Sequence, residues 1–383
     1  MYLRNSKTLF LVVFAFLLSS LFAQQREGFK EGNLTDGPYV FYKNKKIIVK
    51  NCIPSGDKMK VETSVYSAEE KDKIVLNCTK AGFEPAKFEV KLKEKLENEK
   101  SEFPASDKIF TISDIEGNFA FFTKMLRNAG VIDEKFNWTF GNGNLVLIGD
   151  IFDRGIHVTE CLWLLYSLEE KAKQAGGYVH VLLGNHDMMN LRGDLRYIEE
   201  KYNLTSEALN VSYREMFGPD SELGRWLRTK SSIVKVGDKL FVHGGISLKL
   251  METKLSISQI NDKMRDLMYI QHRKESDETL KLLAGSFGPM WHRGFFMDYK
   301  ERYKRLTDKE VDDVLNYFDA AQVYVGHSIV EKPKSMYDGK VIAVDVKHTA
   351  DHVIKDPENI SWGVLIDKDK IIRIDLFNNR ENL

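Results

Sequence analysis

The sequence predicts an α/β protein with a parallel β-sheet, preceded by a small β-rich module. From about residue 107, apolar strand-like runs alternate with amphipathic helical stretches, the pattern of βαβ units. Before residue 104, short strand-like runs are separated by turn signals such as Pro54-Ser55-Gly56, with no helical period between them. We therefore predict a β-rich module over residues 26–104 and a larger α/β domain over residues 105–383.

The composition is that of an ordinary globular protein and excludes a generally charged surface. The chain has 383 residues, enough for one large domain and one small one. Hydrophobic residues make up 43% and charged residues 29%. Basic and acidic residues balance at 56 each, so we expect neither nucleic acid nor an anionic membrane as a partner.

Residues 1–23 have the pattern of a secretory signal peptide. Arg4 and Lys7 precede an uncharged apolar run over 9–22, and the small residue Ala23 follows it. The alternative is an uncleaved membrane anchor, but the run is shorter than the ~20 apolar residues that span a bilayer. We therefore expect a periplasmic or secreted product with no stable membrane insertion after cleavage, and a bacterial periplasm is the preferred location.

Export would place the three cysteines in an oxidising compartment. Cys52 and Cys78 each follow an apolar run in the N-terminal module. The sequence leaves open whether they form a disulfide or remain two buried thiols. Cys161 lies in a helical stretch and is predicted to belong to the core, since no Cys/His cluster has zinc-site spacing.

Five short strands are predicted in the N-terminal module, over residues 39–42, 46–49, 58–65, 73–76 and 87–92. The charged run over 91–100 is predicted to be a solvated linker or a strand-to-linker edge rather than a binding patch. In the α/β domain, helices are predicted over 119–128 and 158–173 and from Met188. Strands are predicted there over residues 109–113, 145–148, 178–183, 232–236, 239–242, 322–325, 341–346, 362–366 and 371–376.

Polar clusters follow the first three strands of the α/β domain, over residues 114–118, 149–155 and 184–187. Asp114, Asp150 and Asn185 are separated by nearly equal intervals, each about one strand–helix–strand unit of ~30 residues or more. The equal spacing predicts that all three clusters lie at the carboxyl ends of the strands, where open α/β sheets bind ligands. Two further clusters follow later strands, over residues 242–245 and 325–327.

The chemistry of these clusters indicates a dinuclear metal site. Carboxylate, amide and imidazole groups together suit divalent cations such as manganese, zinc or iron. Two ions ~3.5–4 Å apart need a shared ligand, and a carboxylate can bridge them. Asp150 is the predicted bridge because it follows the middle strand. A lone Asp after a strand is usually a cap, and a lone buried His is usually structural. Five such clusters in this order are better explained by a common site.

The clusters resemble the motifs of calcineurin-like metallophosphoesterases of the phosphoprotein-phosphatase type. The motifs are GDxxDRG over 149–155, GNHD over 184–187, HGG over 243–245 and GH over 326–327. The longer match over 184–197, together with WHRGF over 291–295, is most similar to the Shewanella-like phosphatases. The resemblance spans about residues 108–350. It implies a central β-sheet sandwich flanked by helices and a catalytic domain over 105–383, and it does not cover the N-terminal module.

The resemblance implies six metal ligands: Asp114, Glu116, Asp150, Asn185, His243 and His327. Asp150 would be common to both ions, with Asp114 completing the first site and the last three ligands the second. One position departs from the family, whose first motif is usually Asp-x-His-Gly, because Glu116 replaces the ligating His. We predict that Glu116 ligates and favours harder ions, although it could instead point away or hydrogen-bond a water. The expected cofactors are two divalent ions, manganese first, with zinc, iron or magnesium as alternatives.

The resemblance also implies six residues that act on the substrate: His186, Asp153, Arg154, Arg293, Asn190 and Arg192. His186 would be the general acid that protonates the leaving-group oxygen, and Asp153 would orient it. Arg154 and Arg293 would bind the phosphoryl oxygens, because a planar guanidinium offers them two donors. Asn190 and Arg192 would line the pocket or, alternatively, have a purely structural role.

Together these features predict a metal-dependent phosphomonoesterase. A hydroxide activated by two metals would attack phosphorus in a phosphorylated protein or small molecule. The alternative is a non-catalytic module that binds phosphate or a partner through a degenerate metal site, which the departure at Glu116 suggests. The presence of His186, Asp153 and both arginines favours the enzyme, because a degenerate site has little reason to keep them together.

Overall fold

The computed structural model describes residues 35–55, 58–82, 85–348 and 361–383. The signal peptide predicted over residues 1–23 lies outside this part of the chain. Within the described residues, no helix has the length and apolar character needed to cross a membrane.

The N-terminal module is β-rich, as predicted, and its strands form two small antiparallel sheets. Strands β1 (Asp36–Lys43), β2 (Lys46–Ser55) and β3 (Lys58–Ser67) form one sheet, and a 3-10 helix (Ala68–Lys73) leads to the hairpin of β4 (Val75–Lys80) and β5 (Ala86–Lys91). Cys52 and Cys78 are buried and free, so of the two alternatives the structure has the thiols. Cys161 is also buried, as predicted.

The α/β domain is built from twelve short strands and ten helices in the part of the chain that the structure describes. The strands are β6 (Glu102–Phe103), β7 (Lys108–Ile112), β8 (Asn144–Ile148), β9 (Tyr178–Leu182), β10 (Ile233–Val236), β11 (Lys239–Val242), β12 (Gln322–Val325), β13 (Lys334–Met336), β14 (Val341–Ala343), β15 (Trp362–Asp367), β16 (Lys370–Asp375) and β17 (Arg380–Asn382). The helices are α1 (Phe119–Asn128), α2 (Val158–Gln174), α3 (Asn185–Leu191), α4 (Glu200–Leu209), α5 (Tyr213–Met216), α6 (Glu222–Leu227), α7 (Leu248–Glu252), α8 (Ile257–Leu267), α9 (Glu278–Ala284) and α10 (Asp308–Tyr317).

These strands form the β-sheet sandwich that the resemblance implies. One sheet has the order β17-β16-β15-β7-β8-β9 and the other β13-β14-β12-β11-β10-β6. The prediction of a parallel sheet holds only in part. Strands β7, β8 and β9 run parallel, but β15 pairs antiparallel with β7 and with β16. Strands β15 and β16 are joined by a tight turn, and so short a connection permits only antiparallel pairing.

Strand β8 shows why the predicted strands are almost continuously apolar. Its alternate residues Val146 and Ile148 lie in the cluster between the two sheets, together with Val234 and Phe241 of the opposite sheet. The two leucines of the strand, Leu145 and Leu147, point to the opposite face and belong to the cluster beneath the helices. A strand that is buried on both faces has no solvent-exposed face, so its sequence is continuously apolar rather than alternating between apolar and polar residues. Strand β8 is thus packed on both faces up to Ile148, where the loop that carries Asp150 begins.

The charged run over residues 91–100 begins at the end of β5, which agrees with the strand-to-linker alternative, and two of its charged side chains pair with groups of the α/β domain. The Lys93 ammonium pairs with Glu169 of α2, and Glu99 pairs with the buried Lys230. The lysine side chains pack along the protein and place their charges against carboxylates, which a composition-based argument does not detect. Strand β6 then joins the second sheet beside β10. The domain boundary at residue 104 stays a prediction.

Candidate metal centre and active site

The loops that follow β7, β8, β9, β11 and β12 meet at one end of the sandwich, where the sequence predicts the site. Asp114, Asp150, Asp153 and His327 all have left-handed backbone conformations, with φ of 52°, 55°, 74° and 60°. Residues with a Cβ rarely adopt this conformation, and such strain accumulates at functional sites. Gly184 has a steric role here, because a Cβ atom on it would lie 2.1 Å from Asp150 Oδ1.

The first group of predicted ligands surrounds His243. Asp150, His243 and His327 are buried and offer ligand atoms within 4.8 Å of one another. The carbonyl of Ile148 lies 2.7 Å from His243 Nδ1 and can only accept, so Nδ1 carries the proton. In the neutral ring, the Nε2 lone pair then faces two oxygen atoms, at 3.2 Å in Asp150 and 2.9 Å in Asn185. A cation between these atoms would turn three mutually repelling acceptors into ligands.

His327 supplies independent support for a cation at this position. Its backbone N–H donates to Asp114 Oδ2 at 3.2 Å, which holds the residue against the neighbouring cluster. Its Nε2 is buried and has no hydrogen-bond partner among the described residues. Buried imidazole nitrogens are normally satisfied, and a metal ion is one partner that this nitrogen can take.

The second group of predicted ligands contains three carboxylates. Asp114, Glu116 and Asp150 offer oxygen atoms within 4.8 Å of one another. Asp150 is common to both groups, which is the geometry that a bridging ligand requires. Glu116 also forms an ion pair with Arg154, so its carboxylate lies between the cluster and the side chain predicted to bind phosphate.

The electrostatics of the two groups favour a bound cation. Burial, together with the charge of Asp150, raises the pKa of Asp114 to about 6. Burial opposes protonation of His243, but Asp150 and Asp114 outweigh it and raise the pKa of His243 to about 10. Both directions show an excess of negative charge, which a proton or a metal ion can neutralise. The donor set of four carboxylate or amide oxygens and two imidazoles therefore fits two divalent ions of the harder type.

His186 and Asp153 form the pair that the resemblance implies. His186 Nδ1 lies 2.5 Å from Asp153 Oδ2, and Nε2 lies 3.2 Å from an Arg154 nitrogen. Burial opposes protonation of His186, but the Asp153 hydrogen bond and the charge of Asp150 raise its pKa. A carboxylate that orients one ring nitrogen and keeps the ring protonated prepares the other nitrogen to give up a proton.

The two predicted phosphate-binding arginines each contact one of the candidate ligands, Arg154 at Glu116 and Arg293 at His327. The Arg154 side chain is half exposed beside His186. Arg293 donates to the carbonyl of His327 and to Ser328 Oγ, the latter at 3.1 Å. Both guanidinium groups therefore adjoin the candidate metal centre, one from the β8 loop and the other from the loop between α9 and α10.

Asn190 and Arg192 are buried and contact neighbouring side chains and backbone groups, and a part in lining the pocket stays a prediction. The Asn190 amide donates to Asp153 Oδ1 at 2.8 Å and accepts from the Tyr213 hydroxyl at 2.7 Å. Asn190 therefore supports the orienting carboxylate from behind. Arg192 pairs with Glu275 and donates to the carbonyl of Ile270 at 2.9 Å, which ties α3 to the loop before α9.

Asp187 has a positioning role that the sequence did not reveal. Its buried carboxylate accepts four backbone N–H groups, from Asp150 (2.9 Å), Ile151 (2.8 Å), Phe152 (3.1 Å) and Gly184 (2.7 Å). One side chain thus fixes the loop after β8 to the loop after β9. A second carboxylate, Asp345, is buried near Asp114 at the end of the strand predicted over 341–346. The same rule of a polar residue after a strand could have identified it.

Replacement of Asp187 by Ala is expected to destabilise the protein as well as the site. Four buried N–H groups would lose their acceptor, and we expect the free energy of unfolding to fall by roughly 3 kcal/mol or more. Urea unfolding measures this change. Asp133→Ala is the matched control, because Asp133 also accepts backbone N–H groups but on an exposed loop. Equal losses in the two variants would contradict the positioning role.

Comparison with known proteins identifies the family. The sequence model of the family described as calcineurin-like phosphoesterase matches residues 108–331. Shewanella-like protein phosphatase 1 of Plasmodium berghei (strain Anka) is 29% identical over 223 residues, covering 58% of this chain and 61% of that protein. Shewanella-like protein phosphatase 2 of Arabidopsis thaliana is 27% identical over 288 residues, covering 64% of this chain and 72% of that protein. The match thus spans less than two thirds of the Plasmodium relative.

A solved structure extends the similarity beyond this segment. The crystal structure of a cold-active protein-tyrosine phosphatase of a psychrophilic Shewanella species has a TM-score of 0.77 and 32% sequence identity, covering 91% of this chain and 99% of that one. Coverage this high cannot fit within residues 105–383 alone, so the similarity reaches into the N-terminal module. The family match covers more than half of the chain and includes all the motifs named above. The chain belongs to the calcineurin-like phosphoesterase family.

Proposed function

We propose that this protein is a two-metal phosphomonoesterase. The observation that carries the proposal is the pair of ligand groups that share Asp150 beside the His186–Asp153 pair. A site that only binds phosphate needs positive charge, but it does not need an oriented proton donor next to that charge. The phosphatases named among the relatives support the same reaction class.

Six residues would hold the ions. Asp114 and Glu116 would ligate the first ion, and Asp150 would ligate both ions. The remaining ligands of the second ion would be Asn185, His243 and His327. When bound, the two ions would supply activated water at neutral pH and positive charge for the phosphoryl group. Manganese is the proposed metal, because a carboxylate in place of an imidazole makes the first site harder.

The chain's own residues would carry the substrate and the proton. Arg154 and Arg293 would bind phosphoryl oxygens and hold the ester so that its bond to the leaving group faces His186. His186 would donate its Nε2 proton to the departing oxygen while Asp153 stabilises the ring through Nδ1. Arg154 would exchange its ion pair with Glu116 for the substrate.

We propose aromatic phosphoesters, and phosphotyrosine in particular, as the substrate class. Tyr197 is 45% exposed, and its ring centre lies 5.1 Å from that of His186, which offers a flat apolar surface beside the proton donor. The solved Shewanella relative is described as a protein-tyrosine phosphatase. Phosphotyrosine peptides should therefore be hydrolysed faster than the matched phosphoserine peptides. We further propose export to the periplasm or the outside of the cell, on the pattern of residues 1–23.

Metal removal and replacement test the proposal. Chelation should abolish hydrolysis of 4-nitrophenyl phosphate, and manganese should restore it with two ions bound per chain. Glu116→His, which introduces the family's usual imidazole, should shift the metal preference toward zinc or iron. The measurement is metal content by elemental analysis together with kcat for each ion. At most one bound ion and no turnover with any metal would instead favour the non-catalytic binding module.

A further inference from the structure

A fully buried lysine connects the N-terminal module to the α/β domain. Lys201 of α4 lies 3.6 Å from a carboxylate oxygen of Asp36 in β1 and 3.6 Å from one of Glu160 in α2. All three side chains are 0% exposed. A buried charge is stable only when it is paired and hydrogen-bonded. The three side chains are therefore expected to keep one fixed geometry.

Asp36 is held in place by several groups besides the lysine. Its carboxylate accepts the backbone N–H of Gly37 at 3.0 Å, the Tyr39 hydroxyl at 2.8 Å and the Thr205 hydroxyl at 3.0 Å. Tyr39 Oη also lies 3.0 Å from Thr159 Oγ1 in α2. The first strand of the module thus supplies a fixed anionic partner for Lys201.

The cluster is attached directly to the loop that carries the proposed catalytic groups. Lys201 Nζ donates to the backbone carbonyl of Ile156 at 2.7 Å. The next residue, His157, donates its backbone N–H to the carbonyl of Gly117 at 3.1 Å, and its Nδ1 lies 3.1 Å from Glu160. Ile156 follows Asp153 and Arg154 by only a few residues. Lys201 therefore holds both the end of the β8 loop and, through His157, the neighbouring loop after β7.

This loop needs such support because its backbone is strained. Asp153 and Arg154 have φ of 74° and 59°. Left-handed non-glycine residues persist only where surrounding contacts impose them, at a cost of order 1–3 kcal/mol each. Asp187 fixes the start of the loop, from Asp150 to Phe152. Lys201 fixes its end, so the two strained residues are held from both sides.

We propose that Lys201 and Asp36 are positioning residues for the His186–Asp153 proton donor, so that the N-terminal module takes part in acid catalysis. The proposal rests on the proposed hydrolytic function. Loss of the lysine would release the Ile156 carbonyl and let Asp153 move relative to His186. The metal ligands would be affected less, because Asp187 and the strand ends hold them independently.

The test compares two esters that differ in their need for a proton donor. Phenyl phosphate has a more basic leaving group than 4-nitrophenyl phosphate, so its hydrolysis depends more on general acid catalysis. We expect Lys201→Met to lower kcat about 30-fold on phenyl phosphate but less than about threefold on 4-nitrophenyl phosphate. Lys201→Arg, which keeps the charge, should recover part of the loss. Bound manganese should remain at two ions per chain.

Lys230→Met is the matched control. Lys230 is also buried between two carboxylates, but these belong to Glu99 and Glu169, neither of which lies in the β8 loop. The Lys230→Met variant should lower the melting temperature as Lys201→Met does, but it should change kcat on the two esters by the same factor. If Lys201→Met does not fold, Asp36→Asn decides the question by the same comparison of esters.

The failure of the two proposals can be told apart. If the unsubstituted protein with manganese hydrolyses neither ester, the proposed function is wrong. If it hydrolyses both, and the variants at Lys201 or Asp36 lose activity equally on the two esters, the hydrolytic function stands and the positioning role is overturned.

Discussion

Asp150→Asn is expected to lower kcat/KM on 4-nitrophenyl phosphate by at least about 1,000-fold. Asp150 is the one residue common to the two ligand groups, and an amide offers a single neutral oxygen where the carboxylate offers a negative charge shared by two oxygens. The new NH2 group would also point a donor toward a position that a cation should occupy. Elemental analysis should show fewer than two ions per chain at metal concentrations that saturate the unsubstituted protein.

The control for this variant is another buried aspartate whose carboxylate accepts backbone N–H groups. The Asp375 carboxylate is buried and accepts the backbone N–H groups of Phe377 and Asn379, but it lies at the end of β16, outside both ligand groups. Asp375→Asn should change kcat/KM by no more than a few-fold. Retention of full activity by Asp150→Asn would contradict the bridging role and with it the two-metal site.

The ligand positions could be predicted because each of them follows a strand whose apolar run is unmistakable. Strands such as β8 are buried on both faces, so their ends are marked by the first polar residue, here the loop of Asp150. The spacing of one strand–helix–strand unit then places these ends side by side. Local pattern and simple topology therefore sufficed to predict that the candidate ligands lie close together.

The supporting residues could not be predicted because their partners are remote in sequence or belong to the backbone. The carboxylate of Asp187 is bound by N–H groups, which every sequence has. Lys201 pairs with Asp36 across more than 160 positions, and nothing local distinguishes it from a surface lysine. The same limit explains Arg192, which the motif placed near the pocket but which pairs with Glu275. The pairing of β15 with β7 likewise joins two segments that are far apart in the sequence, so no local pattern indicates it.

His186→Ala is expected to separate proton donation from metal binding. The variant should lower kcat on phenyl phosphate or a phosphotyrosine peptide by roughly 100- to 1,000-fold, with a smaller loss on 4-nitrophenyl phosphate. Two ions should remain bound, since His186 belongs to neither ligand group and contacts Asp150 only through its backbone N–H, at 2.8 Å. His272→Ala, which removes a partly exposed imidazole paired with Asp194, should leave both rates within a few-fold.

The comparison with Asp150→Asn gives this result its meaning. A metal ligand should be needed equally for every ester, because the attack on phosphorus is common to all of them. A proton donor should matter in proportion to the basicity of the departing oxygen. If His186→Ala instead lost metal and activity together on all esters, the imidazole would act as a ligand, and Asp153 would orient a metal-binding ring rather than an acid. The proposed effect of Lys201 and Asp36 on acid catalysis would then have no group through which to act.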